Sequence, residues 1–489
     1  MIPGGWQPFG GGMEGGDWTD LAAKFNLNDI EGFYKAVTAG YGTDVAALTG
    51  GAAVRLESLE GALIATTEEI DDFKLYDELE KSNALANVDQ WVSKDRIGGF
   101  PGSAFNSEVG SIRDNSSTYK RNVAEVKYLM TKREVSVVAQ TQQGIIDLMA
   151  DQNMDATLEL LRSAEWGFFY GNSACSSVEF DGIYKELEDR TGVGSEWFVD
   201  LRGNSVTDQA REIKDSAAFI SDQGQFGKLT HQFASNLVQS DLDQKLDPGV
   251  RVMIGQDRDS VKIGTPVAGI KTSWGNIRTI PDIFIQEGQR PFVVRGSDYA
   301  AMVTDAAVSA PSAVSVSAAT NASSQFIAAD GGLYYWAVEG GNSTCRSALV
   351  KSSQVAVSAG QSATVQITEP VGGNETYYVV YRSKRNGANG DGDFREMVRV
   401  PKNGGGTTTY VDHNQNIPGT SIIVLLSMTR QAITMRRLLP LTKFQLYPTD
   451  KPVNPWALLF FLYMRVAKPR QHRIIKNVLP SGATWRPRG

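Results

Sequence analysis

The chain has 489 residues, 41% of them hydrophobic and 21% charged, with a formal net charge of −7. These ordinary fractions exclude a disordered chain or a coiled coil, and the length predicts two to four domains, because single cores stop growing near ~250–300 residues. Glycine is abundant, at 49 residues, but follows no strict period, which excludes collagen and predicts many turns and short strands.

Cys175 and Cys345 stand far apart, so no disulfide framework is expected and the thiols should be reduced. No basic-then-apolar segment follows Met1, and the longest apolar run, 456–464, is well short of the ~20 residues a spanning helix needs. A soluble protein made in a cytoplasm, without membrane association, is the expectation. Charge is unevenly placed. Residues 1–100 hold seventeen acids and seven bases, whereas residues 430–489 hold twelve Lys and Arg and the single acid Asp450. The C-terminal bases are interspersed with apolar residues and prolines, which fits contact with acidic faces of other copies better than a nucleic-acid tail.

In chain order, residues 1–16 read as a Gly-rich arm and 17–50 as short helices around Leu21, Phe25, Ile30, Phe33 and Tyr34. Residues 90–125 carry Gly98-Gly99, Pro101-Gly102 and many Ser and Asn, the signature of a long two-stranded loop. A strand is predicted over 134–139 and a helix over 144–170, with Met154, Leu158, Leu161, Ala164 and Phe168 on its apolar face and Gly171-Asn172 as its stop. Further helices are predicted over 207–220, with a Ser205/Asp208 capping box, and over 232–246. Strands follow at 267–272, 277–280 and 283–285. Residues 306–415 turn rich in Ser, Ala, Thr, Val and Gly, and carry seven strand signals at 314–316, 333–338, 355–357, 363–367, 377–381, 397–400 and 408–411. That spacing predicts an immunoglobulin-like sandwich of the fibronectin-III kind, since no Cys…Trp…Cys arrangement is present. Strands at 422–426 and 457–464 precede the basic end.

No catalytic constellation emerges. His231, His413 and His472 are scattered, and neither HExxH, CxxC nor Gly-x-Ser-x-Gly occurs. Gly224-Gln225-Phe226-Gly227-Lys228-Leu229 lacks the glycine spacing and the Ser/Thr of a phosphate loop. The pairs Asp241/Asp243 and Asp257/Asp259 read as solvated loop acids. Neither an enzyme, nor a cofactor, nor a metal is expected; the pattern points to a structural role.

Several segments carry a family resemblance: Arg55-Leu56-Glu57-Ser58-Leu59-Glu60 ahead of the loop, Phe169-Tyr170-Gly171-Asn172 closing the long helix, Phe180-Asp181-Gly182-Ile183, Pro418-Gly419-Thr420-Ser421, and Ile474-Ile475-Lys476-Asn477-Val478 near the end. In this order they resemble the major capsid proteins of tailed bacteriophages, which have the Hong Kong 97-type fold, here with an immunoglobulin-like insertion. The resemblance implies an α+β chain divided into an N-terminal arm (1–60), a first peripheral part (61–180) with an extended loop (88–128) and spine helix (144–170), a first axial part (181–305), the insertion (306–415), a second axial part (416–450), and peripheral C-terminal strands with a basic tail (451–489). It implies self-assembly into hexamers and pentamers forming an icosahedral head shell around double-stranded DNA, in a virion assembled in the host cytoplasm. Portal, scaffold and decoration proteins would be partners, and the start at Met1 fits a subunit that is not trimmed.

On this reading Arg96, Arg113, Lys120 and Arg121 of the loop meet acidic groups of a neighbour such as Glu68, Glu69, Asp71 and Asp72. Some members cross-link a loop lysine to an asparagine. Lys94 or Lys120 and Asn454 or Asn477 would be the counterparts, but residues 452–489 contain no Asp or Glu to serve as base, so a non-covalent shell is predicted. A cellular nanocompartment shell and a tail or surface adhesin remain alternatives. Closed particles would exclude the adhesin, and DNA content would separate the two shells.

Overall fold

The structure, a computed structural model, describes residues 69–489 apart from 101, 113, 142–146, 192–195, 204–208, 223–224, 247–251, 255–260, 264–267, 286–307, 344 and 449–450. The predicted arm, the short helices of 17–50 and the Ser205/Asp208 capping box lie outside the described residues. A short helix α1 (Lys74–Glu78) and strand β1 (Lys81–Asn83) lead into β2 (Val88–Arg96), β3 (Thr118–Glu125) and β4 (Lys127–Ser136). A turn of helix, α2 (Val137–Thr141), precedes the long helix α3 (Leu148–Tyr170). Asp147 caps α3 by accepting from the backbone N–H groups of Met149 and Ala150.

The middle of the chain alternates: α4 (Ile183–Thr191), β5 (Phe198–Asp200), α5 (Gln209–Ser221), β6 (His231–Ala234), α6 (Asn236–Leu246), then β7 (Val252–Ile254), β8 (Val261–Ile263), β9 (Gly269–Thr272) and β10 (Gly275–Pro281). Nine strands follow: β11 (Ala313–Thr320), β12 (Gly332–Tyr334), β13 (Trp336–Gly341), β14 (Val350–Lys351), β15 (Val355–Val357), β16 (Gln361–Thr368), β17 (Tyr377–Ser383), β18 (Phe394–Pro401) and β19 (Thr407–Asp412). The chain closes with β20 (Ser421–Leu426), β21 (Ile433–Gln445), β22 (Val453–Val466) and β23 (Arg473–Val478).

Four larger sheets organise the mixed α+β architecture. The first has the order β1-β21-β22-β4, and α3 packs on it. Leu160, Leu161, Ala164 and Phe168 of the helix share a core with Leu458, Phe460 and Leu462 of β22. The second, β5-β23-β20-β6-β10-β9, is covered by α5 and α6 through Ile213, Ile220, Val238 and Leu242. Both sheets interleave strands from distant parts of the chain, so neither closes until β20–β23 are in place. Residues of β11 and β16, in a three-stranded sheet with β19, share a third core with β13 and β17 of a four-stranded sheet. A buried ion pair, Arg382–Asp412 at 2.7 Å, crosses that core, with the Trp336 indole also donating to Asp412 at 3.2 Å. The pair joins β17 of one sheet to β19 of the other, and a second guanidinium nitrogen of Arg382 donates to Asn414 at 2.8 Å.

Several expectations are corrected. The strand predicted over 134–139 ends at Ser136, and Val137–Thr141 is helical. Gln232 and Phe233 belong to β6, so the third helix begins only at Asn236. Residues 283–285 form a helical turn instead of a strand. The apolar face of α3 is also rotated from the predicted one. Met154 is 48% exposed and Leu158 only half-buried, while Ala156, Leu160, Glu165 and Phe169 point inward. A buried glutamate on the inner face disguises the stripe that a purely apolar count would find.

The two glycine-centred motifs interlock. The Gly182 N–H donates to the Gly171 carbonyl at 2.9 Å. A Cβ at Gly171 would sit 2.2 Å from the Phe180 carbonyl oxygen, and one at Gly182 would sit 2.7 Å from that of Gly167. The glycines are needed for close backbone approach, not for a left-handed turn.

Candidate assembly surface

Strands β2 and β3 pair antiparallel, with Trp91 opposite Asn122 and Val92 opposite Arg121, and form a ribbon whose two faces differ. Because side chains alternate along a strand, Asp89, Trp91 and Asn122 point to the body. Gln90, Val92, Lys94, Tyr119, Arg121 and Val123 point outward and are exposed. At the root, the Arg436 guanidinium of β21 donates to the Asp89 carboxylate at 2.8 and 3.2 Å, and the Tyr463 hydroxyl of β22 donates to the same carboxylate. Burial opposes the charge on Asp89, but the Arg436 and Tyr463 hydrogen bonds prevail and hold its carboxyl below the usual range. Arg190 of α4 donates to Asn122 at 3.2 Å and, with Arg465, lies by the Trp91 ring.

Beyond the root the ribbon bears bare apolar groups. Ile97, Phe105, Val109 and Ile112 are 81%, 91%, 96% and 94% exposed. The sequence reading stressed the glycines and bases of this loop and passed over these residues. They are scattered singly among Ser, Asn and Gly, so no periodic signal marks them.

The predicted contact residues are placed as follows. Lys120 and Arg121 are exposed on β3, with Arg121 donating to Gln90 across the ribbon. Glu69 and Asp71 are exposed, and Asp72 closes the turn by accepting from the Glu69 N–H at 2.8 Å. Arg113, Glu68 and the side chain of Arg96 lie outside the described residues. Among the described residues the loop bases and this acidic cluster do not meet within one subunit.

The uneven charge is partly closed inside the chain. Arg430 pairs with Glu80 at 3.5 Å, Arg436 with Asp89, and Arg488 with Asp330 at 2.7 Å. Of the asparagines considered for cross-linking, Asn477 is 3% exposed. Its amide donates to Asp200 at 2.6 Å and to the Gln415 carbonyl, and accepts from the Ile417 N–H. That amide is engaged in the fold and closed to a neighbour's lysine.

Among the described residues no group of three or more His, Cys, Asp or Glu is arranged to hold a metal, and no helix is long and apolar enough to cross a membrane. Cys175 and Cys345 are both buried, and burial pushes the Cys175 thiol up to about 11, far from a reactive thiolate at neutral pH.

No protein-family profile matches the sequence. The chain is 22% identical to the major capsid protein of Staphylococcus phage K over 480 residues, covering 94% of this chain and 97% of the relative. It is 24% identical over 475 residues to a chain of Enterococcus phage phiEF24C provisionally assigned the same role, covering 91% and 94%. Among solved structures, the capsid of cyanophage P-SCSP1u aligns with 88% of this chain and 94% of its own, at 9% identity and a TM-score of 0.43. Along more than nine-tenths of its length, the chain is similar to phage major capsid proteins.

Proposed function

We propose that the chain is the major capsid protein of a tailed phage, a structural subunit that self-assembles into hexamers and pentamers of an icosahedral head shell around double-stranded DNA. The observation that carries this reading is the ribbon. It is keyed to the body at Asp89 and Trp91, yet it presents Ile97, Phe105, Val109 and Ile112 with almost nothing among the described residues to cover them. Exposed apolar side chains are worth ~25 cal/mol per Å² when withdrawn from water. A second copy offers such cover repeatedly around a ring, and several weak interfaces per subunit give a closed shell its avidity. Lys120 and Arg121 would steer this contact towards Glu69 and Asp71 of the neighbour.

The fold supporting this reading is of the Hong Kong 97 type. The two sheets around α3 and α5–α6 would be the peripheral and axial parts, with β21 joining the former and β23 the latter, which moves both from the parts expected for 416–450 and 451–489. The β-rich body of β11–β19, in sheets of three, two and four strands, would be an immunoglobulin-like insertion projecting from the shell. Portal, scaffold and decoration proteins would meet the shell, not the isolated subunit. Electron microscopy of the purified protein tests the proposal. Closed icosahedral particles are expected, and Phe105→Ser with Ile112→Ser should leave soluble subunits that do not close. Monomers under all assembly conditions, or particles indifferent to those substitutions, would overturn it.

A further inference from the structure

The C-terminal tail does not trail into solvent. Its Ser481 N–H donates to Asp241 of α6 at 2.6 Å, and the Trp485 indole donates to the Asp393 carbonyl at 3.1 Å. The Arg385 N–H donates to the Pro487 carbonyl at 2.8 Å, and the Arg488 guanidinium donates to Asp330 and to the Arg202 carbonyl. Residues 481–488 thus tie the β-rich body of β11–β19 to the α5–α6 side of the molecule. Gly419 makes room for the strap, because a Cβ there would lie 2.3 Å from the Trp485 ring.

Between this strap and the β17–β18 end lies a cleft of about 280 Å³ lined by Lys384, Arg395, Thr484, Trp485, Arg486 and Gly489. Its three charged side chains are all cationic. Lys384 has a distant partner in Asp393 at 3.5 Å, and among the described residues Arg486 donates only to the Ser481 carbonyl. Arg395 is 8% exposed and stacks on the Trp485 ring at 4.9 Å. One of its terminal nitrogens donates to the Gly392 and Phe394 carbonyls, while its buried Nε meets no acceptor among the described residues. No carboxylate lies within ion-pair distance of Arg395 among the described residues. Burial pushes this guanidinium down to about 10, against the pull of Asp393. The Nε is closed to water and so to a ligand, which leaves Nη2, with no acceptor among the described residues, as the donor that an anion in the cleft could meet.

We propose that this cleft is an oxyanion site of the phosphate class, in which the ligand bridges Arg395 of the β17–β18 end to Arg486 and Thr484 of the tail. Planar guanidinium forks match tetrahedral oxyanions, the lysine adds a point charge, and the threonine hydroxyl supplies a neutral donor. The bound anion would cement the strap. The inference is independent of the capsid reading, since it rests on the cleft alone.

Calorimetric titration of inorganic phosphate into the full chain, at constant chloride and ionic strength, tests it. Saturable binding is expected in the wild type. Lys384→Met with Arg486→Met, both surface changes, should weaken it at least about tenfold, the loss of one charge-assisted hydrogen bond or more. Arg395→Lys should weaken it as well, by removing the fork while keeping the charge. A short DNA duplex forms the second arm. If it binds, is displaced by phosphate and is weakened by the same variants, backbone phosphate is the source; if it does not bind while phosphate does, the ligand is a free anion. No saturable phosphate binding by the wild type, or equal binding by the variants, would overturn the proposal.

Discussion

Glu165 and Asp282 meet as two carboxyl groups inside the core, 0% and 1% exposed. Glu165 of α3 accepts from the N–H groups of Leu75 and Tyr76 at 2.7 and 2.9 Å, which docks α1 onto the long helix, while Asp282 accepts from the Phe284 N–H at 2.8 Å. Burial, then the facing Asp282, raises the Glu165 carboxyl well above its ordinary value. Burial likewise brings Asp282 up to about 6. The pair therefore keeps a proton that the unfolded chain would release.

The sign of the pH dependence follows. Between the ordinary carboxylate range and the raised values the folded state binds more protons than the unfolded one, so stability falls as pH rises. Asp282→Asn removes one acid and supplies an amide donor to Glu165. Urea unfolding of the wild type should lose stability from pH 5 to pH 8 through this pair. The variant should show a flatter profile and equal or greater stability at pH 8. An identical slope in both proteins would contradict the pairing.

The inward face of α3 can be tested directly. Leu161 is 6% exposed and Met154 48%. Leu161→Asp should cost several kcal/mol by burying an unpaired carboxylate, while Met154→Asp should stay within about 0.5 kcal/mol. Denaturant midpoints of the soluble fractions would decide the phase.

What the residues disclosed depended on how local the cause was. The ribbon was legible because glycines and prolines punctuate it, and six of the seven strand signals of 306–415 fall on single observed strands because each run is short and β-rich, while the run 333–338 is split at Tyr335 between β12 and β13 of different sheets. Strand β21 was not. Arg436, Arg437, Pro440 and Lys443 break its pattern, and it exists because β22 pairs along almost its full length. The rotated face of α3 escaped for the same reason, since Glu165 is buried by partners far away in sequence. Of the proposed surface, the bases were visible and the anchor was not. Nothing in the neighbourhood of Asp89 announces Arg436.

The interlocked glycines make a third test. At Gly182 an added methyl meets backbone atoms of Gly167, Phe169 and Gly171 at 2.7–2.9 Å, and backbone cannot swing aside as a flexible side chain can. Gly182→Ala should cost about 1–3 kcal/mol, the usual penalty of overpacking. Thermal unfolding would register it, and a neutral result would show that the α3–α4 corner has slack.

The ribbon root is the fourth. Asp89→Asn leaves Arg436 without its counter-charge and should loosen β2–β3 by about 2 kcal/mol, the scale of a hydrogen bond to a charged group. Hydrogen exchange should quicken in 88–96 and 118–125 while α3 stays protected. The wild-type contribution is present above the ordinary carboxylate range and fades as pH falls through the depressed value of Asp89.

The Asp89–Arg436 contact joins residues 347 positions apart. At synthesis rates of about 5–20 residues per second, the ribbon would leave the ribosome roughly 20–70 s before the arginine that orients it. Until then a nascent chain holds its outreaching finger unaimed. Only a polypeptide translated past Arg436 can close this anchor, so products truncated before it would keep the ribbon root open, and the order of translation sets when the finger is fixed in place.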